Sequence, residues 1–365
     1  MNIAELLTIA ASIVPDRAAV RFEGRTTTYA QLQERSTRLA NALFGLGISP
    51  GERVATLQVN CPELIEAAFA TAKLDAVFVP LNFRAKADEL LFMLREAEPP
   101  VLLVGKRYEG MVRSLRPQLP SLRHLIGLEG PVGEGLSYDA LVAEASPEER
   151  FPSAGDEDLA VLVFTAGTTG TPKGVMLTHG NFSSYILANV EPADPEREER
   201  VLLTVPLYHI AGLQAALASV YGGRTLVVQR QFEPKEWMDL VQRERVERAL
   251  LVPTMLKAVM DQPDFKKYDL SSLRVITYGA APMPLEVLRQ ALAEFPNAQF
   301  INAFGQTETA STITMLAPED HLIPPDLPAG ERERRLKRLT SIGRPLPDVE
   351  VGIVDEEGRE VAPGV

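Results

Sequence analysis

An α/β architecture of two mainly parallel β-sheet lobes flanked by helices is predicted by three features of the chain. Apolar runs of strand length, such as "AVFVPL", "PVLLVG" and "RTLVVQ", alternate with stretches of helical period. These runs are continuously apolar, the pattern of strands buried on both faces of a sheet. The 365 residues, 45% hydrophobic and 24% charged, give core enough for two lobes.

Taken in order, "MNIAELLTIAASIVPDR" carries an acidic residue where a leader peptide would carry a basic one, and its apolar spacing predicts a surface helix. "TYAQLQERSTRLANALFGLG" is amphipathic and stops at glycine, "ERVATLQ" is a short strand and "PELIEAAFATAKL" is helical. The strand "AVFVPL", the helix "ADELLFMLREAE" and the strand "PVLLVG" repeat the alternation expected of βαβ units. A second set follows the Pro- and acid-containing stretch "ASPEERFPSAGDED". Its strands are "LAVLVF", "ERVLLTVPL", "RTLVVQ", "RALLVP" and "LRVITYG"; its helices include "PKEWMDLVQRERV" and "PLEVLRQALAEF". The lobes are placed at 1–155 and 156–330, with a β-rich segment from 331 to 365. "EPADPEREER" and "PPDLPAGERERRLKRL" read as exposed linker or helix surface, and the tail "VEVGIVDEEGREVAPGV" as a β-hairpin.

The net charge of −12 opposes non-specific binding to nucleic acid or to an anionic membrane, so any anionic ligand needs a local positive or N–H-rich site. No run of 18 apolar residues suggests a membrane span. The single cysteine, Cys61, excludes an internal disulfide framework and reads as a small buried residue; the expected setting is the reducing cytoplasm. The four histidines, His124, His179, His209 and His321, show no ligand spacing, so no zinc site is expected, and His179 is expected to help start a helix. A homodimer is compatible with the sequence, which sets no oligomeric state.

The segment "TAGTTGTPKG", residues 165 to 174, concentrates three glycines, four threonines and a lysine between apolar runs. Glycines let the backbone approach a ligand closely, and main-chain N–H groups, hydroxyls and an ammonium together suit a polyphosphate. A plain hairpin turn needs only one or two glycines. A Walker A loop needs four residues between its glycines and then Gly-Lys-Ser/Thr, whereas two separate Gly167 from Gly170 and Lys173 follows Pro172.

The segment resembles the phosphate-binding loop of the adenylate-forming superfamily of acyl-CoA synthetases, luciferases and amino-acid adenylation domains. Ala166 stands where that loop usually has a hydroxyl residue. "PLYHIAG" (206–212), "YGAAPMP" (278–284) and "NAFGQTET" (302–309) are similar, in the expected order, to the family's histidine-bearing turn, adenine-pocket turn and aromatic-Gly-x-Thr-Glu signature. "TYAQL" and "PLNFRAKADEL" extend the likeness towards the N-terminus.

The resemblance implies the large N-terminal domain of such an enzyme, with a small incomplete β-barrel region. It implies ATP-dependent activation of a carboxylic acid to an acyl-adenylate and then to a thioester with coenzyme A. Thr165, Gly167, Thr168, Thr169, Gly170 and Lys173 are then expected around the β- and γ-phosphates, with Ala166 in the same loop. Glu308 is expected to bind Mg²⁺ together with Thr165, and Thr307 to contact the α-phosphate. Phe304 is expected beside adenine, with Asn302 at its edge, Gly279, Ala280, Ala281 and Pro282 as the opposite wall, and Ala303 and Gly305 completing the site. The implied catalytic residues are His209, Lys173, Thr307 and Glu308, and the implied acyl pocket is Tyr208, His209, Val252, Pro253, Tyr278, Gly279, Ala303 and Gly305. "PLYHIAGLQ" has no aspartate to pair with a substrate ammonium, which favours a fatty acid, or else an aromatic acid, over an amino acid. Other readings are an acyl-AMP ligase loading a carrier protein and a nucleotide-binding module without turnover. Such enzymes continue into a lysine-bearing C-terminal domain absent from this sequence, so the chain is expected to be a fragment with weak activity or none.

Overall fold

The structure, a computed structural model, describes residues 1–165, 172–310, 312–324 and 326–362. Its strands, in chain order, are β1 (Ala18–Phe22), β2 (Arg25–Thr28), β3 (Arg53–Leu57), β4 (Val77–Pro80), β5 (Val101–Val104), β6 (His124–Gly127), β7 (Leu136–Ser137), β8 (Leu159–Thr165) and β9 (Lys173–Thr178). There follow β10 (Arg200–Leu203), β11 (Thr225–Val228), β12 (Arg248–Leu251), β13 (Val275–Gly279), β14 (Gln299–Gly305), β15 (Thr312–Leu316) and β16 (Arg344–Pro345). They form a seven-stranded sheet, ordered β7-β6-β5-β3-β4-β8-β9, and a nine-stranded one, ordered β16-β15-β14-β13-β12-β10-β11-β1-β2. The inner strands of each are parallel, as the unbroken apolar runs predict.

Sheet membership does not follow chain order. β1 and β2, from the start of the chain, pair onto β11 of the nine-stranded sheet, while the β8–β9 hairpin pairs onto β4 of the seven-stranded one. Three apolar cores explain the arrangement. One joins Val54, Phe78 and Val161 of one sheet to Val201, Leu203 and Leu226 of the other through the helices Ile3–Ile13, Tyr29–Gly45, Pro62–Lys73 and Ile210–Tyr221. The other two cover the outer faces, beneath Ala87–Ala97 on one side and beneath Pro234–Glu244, Pro253–Met260 and Leu285–Glu294 on the other. The order of layers is helix, sheet, helix, sheet, helix.

The N-terminal helix is not a surface element. A capping box of Asn2 and Glu5 starts it, and Leu6, Leu7 and Ala10 are sealed in the middle layer against the helices 29–45 and 210–221. Its apolar residues looked like one amphipathic face because the sequence cannot show that two neighbours lie above it. Thr178, not His179, caps the helix His179–Asn189. His179 is buried, and its Nδ1 accepts from the Ile3 N–H at 3.2 Å. The basic helix Ala329–Arg338 has no buried residue, and the expected C-terminal hairpin is realised as a single antiparallel bridge, Val354 to Glu360, around an Asp355 turn. Among the described residues no helix is long and apolar enough to cross a membrane.

Burial pushes the His179 imidazole down to about 4, while Asp75 and Asp158 oppose that shift. Protonation would turn Nδ1 from an acceptor into a donor facing another donor. The folded value lies below the ordinary one, so the neutral ring's contribution is complete above about pH 6.5 and is lost as pH falls through about 4. Denaturant unfolding at pH 7.5 and pH 4.5 should show a loss of up to about 3 kcal/mol from this group, and a smaller drop in His179→Asn. An equal drop in the variant would remove His179 as the cause.

Candidate active site

Parallel strands bring all their carboxyl ends to one edge of a sheet, where the chain turns into loops and ligands commonly bind. The residues singled out in the sequence fall on that edge of the nine-stranded sheet. Tyr208 and His209 follow β10; Val252 and Pro253 follow β12; Gly279 ends β13 and leads into Ala280, Ala281 and Pro282; Asn302, Ala303, Phe304 and Gly305 end β14. Because β13 and β14 pair with Tyr278 opposite Asn302 and Gly279 opposite Ala303, the adenine-pocket turn and the aromatic-Gly-x-Thr-Glu segment lie side by side. Gly279 is required by this approach, since a Cβ there would stand 2.1 Å from the Ala303 carbonyl oxygen. Ala280 then takes a left-handed conformation, φ 62°, as does Ala310, φ 57°, just past the 307–309 turn.

The other half comes from the seven-stranded sheet. In the β8–β9 hairpin Thr165 pairs with Lys173 and Phe164 with Gly174. Ala166, Gly167, Thr168, Thr169 and Gly170 lie outside the described residues. The short 3₁₀ turn Thr307–Thr309 approaches β9 with Cα separations within 8 Å. Thr307 and Glu308 are thereby brought beside the strand that Lys173 begins. Lys173 and Glu308 are exposed, and neither charged group pairs with a described residue. Among the described residues no cluster of three metal-binding side chains exists. One carboxylate and a hydroxyl nevertheless suit Mg²⁺, which takes few protein oxygens and completes its shell with phosphate and water.

His209 stands at the N-cap of the helix Ile210–Tyr221, where its carbonyl accepts from the Gly212 and Leu213 N–H groups at 3.0 and 3.1 Å. Gly212 allows the turn to fold this tightly, because a Cβ there would meet the Pro206 carbonyl oxygen at 2.3 Å. The Tyr208 and His209 rings lie with centroids 4.2 Å apart, tilted by 38°, and Phe83 meets Tyr208 edge-on at 5.2 Å. Desolvation by the surrounding atoms, reinforced by the Arg84 charge, pushes the His209 pKa below its ordinary value, which leaves the ring neutral at pH 7. Burial raises the pKa of Tyr208, with Arg84 opposing.

Two expected site residues have other commitments. The Tyr278 ring is fully buried in the outer core with Ile276 and Trp237, and its hydroxyl donates to His321 Nε2 at 2.9 Å, so this residue meets the site through its backbone. Asn302 donates from Nδ2 to the Ser341 carbonyl at 3.3 Å. Phe304 is half-buried, while Ala280, Ala281 and Pro282 are exposed. Sequence reasoning assigned no role to Phe83, Arg84 or Asn60. The first two sit in "PLNFR", where Asn82 Oδ1 accepts from the Arg84 N–H at 2.9 Å in a turn legible from its Asn. Cys61 is buried and its pKa is raised by burial, as a packing residue's should be.

A family model described as "AMP-binding enzyme" matches residues 7–365. The chain is 30% identical over 366 residues to an indoleacetate–CoA ligase of Aromatoleum aromaticum, covering 100% of this chain and 68% of that protein. It is 31% identical over 298 residues to the long-chain-fatty-acid–CoA ligase FadD13 of Mycobacterium tuberculosis, covering 81% of this chain and 58% of the relative. The inhibitor-bound N-terminal domain of FACL13 from Mycobacterium tuberculosis superposes with a TM-score of 0.87 at 28% identity, over 99% of this chain and 86% of that one. The chain spans about two thirds of the length of the curated relatives it matches.

The Ala280 conformation gives a direct test of this backbone. Ala280→Gly should raise stability by about 1 kcal/mol, because glycine adopts positive φ without the Cβ conflict. Gly279→Ala should lower it by about 1–3 kcal/mol through overpacking against Ala303. Urea midpoints decide both signs.

Proposed function

The chain belongs to the AMP-binding enzyme family, and from that membership we propose that it carries the site at which a carboxylic acid attacks the α-phosphorus of ATP, releasing pyrophosphate and forming an acyl-adenylate. In the whole protein the acyl group then passes to the thiol of coenzyme A with release of AMP. The observation that carries this reading is the meeting of two sheets, where the Thr165–Lys173 hairpin of one faces the Thr307–Glu308 turn of the other.

An anionic nucleophile must approach a polyanion, so positioning and charge neutralisation supply the catalysis. Lys173 offers its ammonium to the outer phosphates. Glu308 and Thr165 would hold Mg²⁺, which when bound neutralises phosphate charge. Thr307 reaches the α-phosphate, and Phe304 with the Gly279–Pro282 turn brackets adenine. The neutral His209 ring orients the acid by hydrogen bonding without protonating it, and Arg84 adds a positive potential on the same side.

For the acid, the missing aspartate in the His209 turn disfavours an α-amino substrate. A fatty acid remains the first reading. The Phe83–Tyr208 pair supports a second, an aromatic acid, since edge-on and stacked rings accept another ring readily. An acyl-AMP ligase that loads a carrier protein shares every residue named above and differs only in its acceptor.

Mg-ATP should raise the unfolding temperature of the chain, with about 2.7 kcal/mol of stabilisation at ligand one hundredfold above its dissociation constant. Lys173→Ala and Glu308→Ala should each remove most of that shift. A panel of alkanoic and aryl acids with ATP then identifies the substrate class by the acid that adds a further shift. A wild-type chain unmoved by millimolar Mg-ATP would remove the nucleotide assignment.

A further inference from the structure

The His209 turn has to leave β10 at the seam between the two sheets, and one buried side chain from the opposite sheet receives it. Asn60 lies just past β3, at the centre of the seven-stranded sheet, and is only 2% exposed. Its Oδ1 accepts from the Leu207 N–H at 2.9 Å. Its Nδ2 donates to the Val205 and Gln229 carbonyls, each at 3.2 Å. Its own N–H donates to the Arg230 carbonyl at 3.1 Å. One amide thus occupies the chain on both sides of Pro206 and the end of β11 as well.

We infer that Asn60 is a positioning residue whose side-chain amide latches the His209 turn of the nine-stranded sheet to the seven-stranded sheet. The residue type follows from the partners. Two carbonyl oxygens and one N–H converge on a dry point and need a short side chain with both donors and an acceptor. Aspartate would present an anion to two carbonyls, serine has a single donor, and glutamine is a methylene too long. Gln229 holds the same stretch from behind, for its Oε1 accepts from the Thr204 hydroxyl at 3.2 Å and its Nε2 donates to Glu236 at 2.9 Å. With Leu207 fixed, Tyr208 is aimed across the seam at Phe83, which follows β4 of the seven-stranded sheet, and the His209 ring packs on Tyr208. The weight of this for catalysis rests on the reading of His209 as an acyl-site residue; the latch itself does not.

NMR of the histidine rings in the 365-residue chain tests it without any ligand. Asn60→Ala should shift the His209 ring resonances and raise its titration midpoint towards the ordinary value, as the ring loses its packing against Tyr208. His179 and His321 should hold theirs. Tyr138→Phe, which removes the 2.6 Å bond to Glu66 elsewhere in the first lobe, should cost stability and leave His209 unmoved. A folded Asn60→Ala in which His209 titrates as in wild type, or in which His179 and His321 shift along with it, overturns the inference. Should that variant fail to fold, wild-type hydrogen exchange decides: the Leu207 amide should exchange at least about a hundredfold more slowly than exposed loop amides, and loop-like exchange overturns the latch. Loss of the Mg-ATP shift would count against the functional reading alone.

Discussion

Everything at the site depends on the layer of helices shared by the two sheets. A site built on one sheet tolerates motion of its neighbours, but here the β8–β9 hairpin and the Thr307–Glu308 turn belong to different sheets. Their separation is therefore set by how the helices Ile3–Ile13, Tyr29–Gly45, Pro62–Lys73 and Ile210–Tyr221 pack between them. Packing at interior density transmits displacement instead of absorbing it. The helix His209 caps is a member of that layer, so the acyl side of the site is tied to the same reference.

The charge distribution has a comparable logic. A chain of net charge −12 repels nucleotides at long range, and that repulsion is screened beyond about 8 Å at physiological salt. Inside that distance Lys173 and Arg84 form no ion pair with a described residue, whereas other arginines of the chain are matched, as in Arg224–Glu199–Arg248 and Arg230–Glu23. The protein can be acidic as a whole and still keep local cations for an anionic ligand, since neither of these two is ion-paired with a described residue and Arg84 lies over the Phe83 ring at 5.4 Å.

What was legible in the sequence is what local chemistry dictates. The inner strands of both sheets announced themselves as apolar runs, and the family membership was legible in "TAGTTGTPKG" and the three motifs that follow it in order. The strand ends then placed His209, Gly279, Phe304 and Glu308 with no further information, because parallel strands put them on one edge. Long-range choices were not legible. Nothing local says that β1 and β2 join β11, that the first helix is covered on two sides, or that Tyr278 turns its ring to His321 and away from the site. Asn60 was invisible for the same reason: its side-chain partners lie 145 to 169 positions away, and nothing in its immediate neighbourhood points to them.

The two strained alanines show how the same backbone serves recognition. Ala280 and Ala310 flank the β14 segment that carries Phe304 and Gly305, and each holds a conformation that a free alanine avoids by about 1–2 kcal/mol. Such a conformation persists only where the surroundings over-determine it. At Ala280 they do so on the strand side, because Gly279 is pressed against the Ala303 carbonyl and the chain must turn at once to clear it. At Ala310 the methyl is sealed in the middle layer, among the helices that set the spacing of the sheets. The wall proposed for adenine is thus fixed at one end by strand-to-strand contact and at the other by the inter-sheet core. A flat ring bound there would meet a surface that cannot relax around it, which converts shape into selectivity.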